Sequence, residues 1–193
     1  MGHHAARIRF QDGGGIEYTI EPNWQRLDEP FSPLGIPIAT GFYDYIRHSL
    51  ELSSDQSAKI SASADIEWGG YFDGQLTSYN LSGRLAPIPH LEFQVDYQLN
   101  QYKNLGVENR SDEAHLLGAN VRLALNPRVQ LIGFYQWNSA VDRSVWNVRF
   151  SWEYRPLSYI YLVFNSNQLD NINPEKRFLQ QQYIGKVTYL HQF

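Results

Sequence analysis

The feature that most constrains this chain is a hydrophobic period of two, kept up over segment after segment. Successive side chains of a strand point to opposite faces, so strict alternation marks a sheet with two unlike sides, whereas an amphipathic helix repeats near 3.6. From Leu91 to Asn100 one face reads Leu91, Phe93, Val95, Tyr97, Leu99 and the other Glu92, Gln94, Asp96, Gln98, Asn100. From Lys59 to Trp68 the faces are Ile60, Ala62, Ala64, Ile66, Trp68 and Lys59, Ser61, Ser63, Asp65, Glu67. Trp146, Val148, Phe150, Trp152 and Tyr154 oppose Asn147, Arg149, Ser151 and Glu153. Leu117 to Leu125 and Ser78 to Leu85 follow the same rule. These runs, about 9–13 residues long, exceed the usual soluble strand of ~5–6 and suit a strand crossing a bilayer at ~45°.

The alternation predicts strands over residues 16–26, 42–52, 58–70, 75–86, 90–102, 114–125, 128–138, 144–154, 157–166 and 182–193, with a short one near 5–11. Asn126-Pro127, Arg155-Pro156-Leu157 and Pro87-Ile88-Pro89 read as tight turns, while residues 27–41, 103–113 and 167–181 read as long polar loops. Short turns at one end and longer loops at the other are the organisation of outer-membrane barrels.

The chemistry of the two faces selects the environment. The polar face carries Lys59, Asp65, Glu67, Arg84, Glu92, Asp96, Arg122, Arg149, Glu153 and Lys186. That many ions cannot be sealed in a dry core, and an aromatic face turned to water would aggregate. A soluble sandwich or lipocalin-like barrel is the competing fold. An apolar side against lipid and a polar side lining a wet, ion-paired lumen removes both difficulties.

Composition agrees once the faces are separated. The 193 residues hold 13 Tyr, 10 Phe and 5 Trp, yet the mean hydropathy is −0.45, because the polar face offsets the apolar one. No apolar run approaches the ~18 residues of a membrane-spanning helix. Trp68, Trp137 and Trp146 fall toward the long-loop ends of their strands, and Trp152, Tyr154 and Tyr159 toward the short-turn ends. Two such levels are what interfacial girdles require. His48 interrupts the apolar series Ile46, Leu50, Leu52, and 157–166 is apolar on both faces.

The expected fold is all-β: a transmembrane antiparallel up-and-down β-barrel of about ten strands from Ile16 to Phe193, with eight or twelve as alternatives. The stub from Ala5 to Gln11, joined through Asp12-Gly13-Gly14-Gly15, would make an eleventh. Met1-Gly2-His3-His4 reads as a tag remnant over residues 1–4, which leaves 5–193 as one barrel domain. The tail Tyr183 to Phe193 resembles the last strand of bacterial outer-membrane barrels, which the assembly machinery recognises through a terminal Phe, here Phe193. His191 stands where an aromatic is commoner. The expected partners are a lipid bilayer and that machinery, and the expected location is the outer membrane of a Gram-negative bacterium. A net charge of −4 with no basic stripe argues against nucleic acid. The absence of Cys removes disulfides and thiolate metal sites.

Several stretches carry a family resemblance. Tyr18-Thr19-Ile20-Glu21-Pro22, Arg26-Leu27-Asp28-Glu29-Pro30-Phe31, Gly35-Ile36-Pro37-Ile38-Ala39, Tyr135-Gln136-Trp137-Asn138-Ser139, the run from Val148 to Pro156, and Tyr161-Leu162-Val163-Phe164-Asn165 are similar to the C-terminal barrel of the DUF5916 family of bacterial outer-membrane proteins. The resemblance covers nearly all of residues 7–193. It implies a longer protein in which a carbohydrate-binding-module-like sandwich precedes the barrel, and it supplies no catalytic residue.

Nothing in the chain forms a catalytic constellation. His48 and His191 fall on the apolar parity, His90 and His115 stand at strand starts, and His3 and His4 belong to the tag-like end. None has metal-ligand or nucleophile-base spacing. Glu92, Asp96, Asp65, Glu67 and Glu153 could do acid–base work, but Arg84, Arg122, Arg149, Lys59 and Lys186 share their parity, and buried charges need partners whether or not they do chemistry. Gly13-Gly14-Gly15 lacks the Lys-Ser/Thr and helix of a phosphate loop. No enzyme activity, cofactor or metal is therefore expected. The leading function is a channel or transport protein with a narrow charged lumen for an unspecified small solute, since about ten strands leave little bore. An anchor or assembly module for an N-terminal domain comes second. A barrel-embedded hydrolase comes last.

Overall fold

A computed structural model describes residues 4–170 and 178–191. Among these residues every regular element is a strand except two single 3-10 turns, Pro33–Gly35 and Ser139–Val141. The strands are β1 (His4–Arg9), β2 (Gly15–Leu27), β3 (Gly41–Ser53), β4 (Ile60–Tyr71), β5 (Gly74–Ile88), β6 (Leu91–Leu105), β7 (Arg110–Asn126), β8 (Val129–Asn138), β9 (Arg143–Arg155), β10 (Ser158–Leu169) and β11 (Phe178–Val187). They form one antiparallel up-and-down sheet in sequence order. β1 and β11 end that order, and among the described residues no pairing of the two closes the sheet. The chain separates into two compact units, Met1–Ser82 with Tyr97–His115 and Gly83–Asp96 with Leu116–Phe193.

The strand count is eleven rather than ten because the N-terminal stub takes a register of its own. Ile8 pairs with Ile16, Arg7 with Glu17 and His4 with Ile20. Gly13, at φ 89°, makes the tight return possible, and the Phe10 amide donates to the Gly14 carbonyl at 2.8 Å; a left-handed residue in a hairpin turn is inexpensive only for glycine. One loop is shorter than the sequence indicates. β6 and β7 run on through most of 103–113, leaving only residues 106–109, closed by the Asn109 amide on the Gly106 carbonyl at 3.0 Å. The last strand runs Phe178–Val187 and not to the terminus. Beyond it, Thr188 and Tyr159 still exchange backbone hydrogen bonds of 3.1 and 2.8 Å, and the Leu190 amide reaches Ser158 Oγ at 3.1 Å. Phe193 lies outside the described residues.

In the second unit the register sorts the side chains into two faces. Rows across β7 to β11 read Leu123, Leu131, Phe150, Leu162, Gly185, then Val121, Gly133, Val148, Phe164, Tyr183, then Ala119, Tyr135, Trp146, Ser166, Gln181. The opposite face reads Arg122, Ile132, Arg149, Val163, Ile184, then Asn120, Phe134, Asn147, Asn165, Gln182. The segment 157–166 is resolved by this: Leu162 and Phe164 join the apolar face, whereas Val163 stands beside Arg149.

The apolar face does not become a core. Among the described residues the buried hydrophobics are Ile36, Ile38, Leu76 and Leu105, while Ile66, Trp68, Leu81, Leu85, Val95, Trp146, Trp152 and Leu162 are exposed. The one buried cluster belongs to the first unit, where Ile36 and Ile38 fold back on Leu105 among Leu27, Tyr43, Tyr71, Phe72 and Tyr102. The Ile38 amide donates to the Phe31 carbonyl at 2.8 Å, folding the 28–40 loop onto itself. Gly106 admits it closely, since a Cβ there would stand 2.5 Å from the Pro37 carbonyl oxygen. Burying each of these aliphatic side chains contributes about 1.5–3 kcal/mol.

Candidate functional site

The polar face of the first unit is ordered by register. Arg7 pairs with Glu17, Glu17 with Glu51, and Glu51 with Asp65, so three carboxylates follow one arginine across four strands. Arg7 Nε donates to Glu17 at 2.6 Å, and Asn80 Nδ2 donates to Asp65 at 2.9 Å. The neighbouring rows are Thr19, Ser49, Glu67 and Glu21, Arg47, Gly69.

Arg47, which sequence reasoning missed, is the best-shielded cation there, its side chain 13% exposed. It donates to Glu67 at 3.1 Å and to the carbonyls of Gly70 and Leu76 at 3.5 and 3.4 Å. Beside it β3 and β4 approach closely, because β4 has no side chains at Gly69 and Gly70. A Cβ on Gly69 would lie 2.2 Å from the Ile46 carbonyl oxygen, and one on Gly70 would lie 2.5 Å from Tyr45 Cβ. The available signal was the Gly69-Gly70 pair inside an otherwise regular strand, a mark of close approach by another chain segment.

His48, the misfit on the apolar parity, is held by aromatic neighbours. Its ring stacks on Trp68 at 5.6 Å and on Tyr18 at 6.1 Å, and Nδ1 shares a 2.8 Å hydrogen bond with the Tyr18 hydroxyl. Tyr97 and His115 form a second such pair at 2.7 Å. Lys59 stands in the turn before β4 rather than in the strand.

In the second unit Arg84 donates to Glu92 through Nε and Nη2 at 2.9 and 2.7 Å. Gln94 Nε2 donates to both oxygens of Asp96 at 3.0 Å. Glu153 turns to the β9–β10 turn and accepts the Leu157 amide at 2.9 Å, where Leu157 sits at φ 58°. Arg122 and Arg149 both pair with Ile132 from opposite sides; Ile132 therefore separates them. Both are exposed. Neither they nor Lys59 or Lys186 form an ion pair among the described residues. Asn147 Nδ2 donates to Asn165, whose own amide donates to Gln182 at 3.5 Å.

Of the girdle aromatics, Trp137 and Trp146 lie on the apolar rows toward one end of β8 and β9, with Tyr135 and Trp146 4.5 Å apart. Trp152 and Tyr154 lie toward the other end, 6.3 Å apart and edge to face. Tyr159 pairs with Glu153 and so stands on the charged face, stacked on Tyr161 at 5.5 Å. Trp68 keeps its place near the end of β4, against His48.

No family model, curated protein or solved structure matches the chain. Among the described residues no helix is long and apolar enough to cross a membrane, which says nothing of strands. Nor does any group of three or more His, Asp and Glu side chains there stand ready to hold a metal. Taken unit by unit, the first carries a polar face of carboxylates with Arg7 and Arg47 among them, and the second sets aromatic and aliphatic rows against a face with exposed guanidiniums.

Proposed function

We propose that the chain is an outer-membrane β-barrel protein of the channel or transport type, its apolar face in contact with lipid and its charged face lining the path of a small solute. The observation that carries this reading is the exposed apolar face. Rows in which Leu, Val, Phe, Tyr and Trp predominate across β7–β11 have no covering layer among the described residues, which include four buried hydrophobics. Exposed to water such a surface drives association, whereas against hydrocarbon it is at rest. The aromatic pairs toward both ends of the strands suit the two interfaces of a bilayer.

Transport, rather than anchoring alone, is supported by Arg122 and Arg149. Guanidiniums kept apart by Ile132 and without carboxylate partners among the described residues are spare for a passing anion, whereas a purely structural network would have them paired. The test is conductance of the refolded chain in planar bilayers. Stepwise currents with anion preference, reduced or inverted in Arg122→Glu and Arg149→Glu, are expected. Absence of current at any voltage would contradict the transport reading and leave the membrane one standing.

A further inference from the structure

One cleft opens beside the row Arg7, Glu17, Glu51 described above. At the turn end of the first unit, the β1–β2 turn and the connection after β3 enclose about 610 Å³ lined by Arg7, Arg9, Glu17, Glu51, Ser53 and Asp55, among others. That is within the roughly 300–1,000 Å³ of small-molecule sites. The glycines of the turn bring its walls together: a Cβ on Gly13 would stand 2.9 Å from Asp55 Cγ, and one on Gly14 would stand 2.9 Å from the Ser53 carbonyl oxygen.

The charges of the cleft can be accounted for one by one. Arg7 and Glu17 neutralise each other. Asp55 accepts the Ser57 amide at 2.9 Å and the Ser57 hydroxyl at 2.7 Å, which hold its carboxyl below the usual carboxylate range. Arg9 and Glu51 remain, and neither forms an ion pair among the described residues. Arg9 is in register with Gly15 and Gly15 with Ser53, whereas Glu51 is in register with Glu17. The two are thus two strands and one side-chain step apart, roughly 12 Å between Cα atoms by sheet spacings, with the neutral Arg7–Glu17 pair between them.

We propose that this cleft binds a zwitterionic solute of amino-acid or dipeptide size, its carboxylate on Arg9 and its ammonium on Glu51. A simple anion would satisfy Arg9 and leave Glu51 unpaired, and a simple cation the reverse. A molecule carrying both groups a few bonds apart answers both, and the Ser53 hydroxyl offers a partner for a peptide group between them. The cleft lies within one unit and does not depend on how the apolar face is covered.

The experiment is calorimetric titration of the full chain, folded in non-ionic detergent, with glycylglycine, N-acetylglycylglycine and glycylglycine amide. Glycylglycine is expected to bind saturably and to weaken with added salt, and each blocked form to bind more weakly by about five-fold, the upper range for one exposed charge pair. Arg9→Gln should abolish the distinction between glycylglycine and its amide, and Glu51→Gln that between glycylglycine and its N-acetyl form. The sign-conserving Arg9→Lys and Glu51→Asp should keep both distinctions, which separates recognition from misfolding. No saturable binding, or equal binding of the blocked forms, would overturn the proposal. Loss of affinity on blocking the carboxylate alone would reassign the cleft to simple anions and overturn it equally.

Discussion

Arg47 shows how a single charge is kept inside a sheet of this kind. Its guanidinium spends its donors on Glu67 and on two carbonyls, one of them that of Gly70. Arg47→Met is expected to destabilise the chain by about 2 kcal/mol in denaturant titration in detergent, below the cost of breaking a fully buried pair because Glu67 keeps access to water. Gly69→Ala should cost at least as much, since the added Cβ meets the Ile46 carbonyl and the residue sits at φ 137°. The half-exposed Arg84–Glu92 pair contributes less, so Arg84→Gln should cost about 1 kcal/mol or less. Arg122→Glu and Arg149→Glu, with no ion pair to lose among the described residues, should leave stability within about 0.5 kcal/mol. Sequence parity placed Glu67, Arg84, Glu92, Arg122 and Arg149 on one face, but it missed Arg47 and could not say which charges meet, because pairing depends on register. Ile132 interposed between Arg122 and Arg149 is visible only once β8 is aligned with both neighbours.

Elements were far more legible than contacts. Alternation alone located every strand but the last to within about four residues, because side-chain period is a local property that needs no partner; the last, expected over 182–193, runs Phe178–Val187. The failures lie where tertiary contact overrides local appearance. Residues 103–113 look like a polar loop, yet their ends continue β6 and β7. The 28–40 loop reads as a polar excursion, yet Ile36 and Ile38 form the one buried cluster with Leu105, a closure between residues some seventy positions apart in the chain. The face assignment makes an element-scale prediction. Leu162→Arg, on the apolar face of β10, should cost about 2–4 kcal/mol if that face meets hydrocarbon near mid-depth, whereas Gln130→Arg, on the polar face of β8, should cost little. Equal costs, measured by unfolding from lipid vesicles, would mean the two faces see the same solvent.

At the scale of the whole chain, the low mean hydropathy and the membrane reading are compatible because the average conceals two surfaces of opposite character. Net hydropathy does not distinguish the soluble from the membrane reading; the period and the exposure of the apolar rows are what favour the second. The absence of cysteine gives a clean way to interrogate the two faces. Leu162→Cys and Arg149→Cys, on adjacent strands and opposite faces, can each carry one environment-sensitive fluorophore in protein refolded into vesicles. Quenching by nitroxides attached to lipid acyl chains and by a water-soluble ion then reports what each face touches. The membrane reading predicts that the label at 162 is quenched from the lipid and shielded from the ion, with the reverse at 149. Equal access of the aqueous quencher to both positions, with no quenching from the acyl chains at 162, would contradict it.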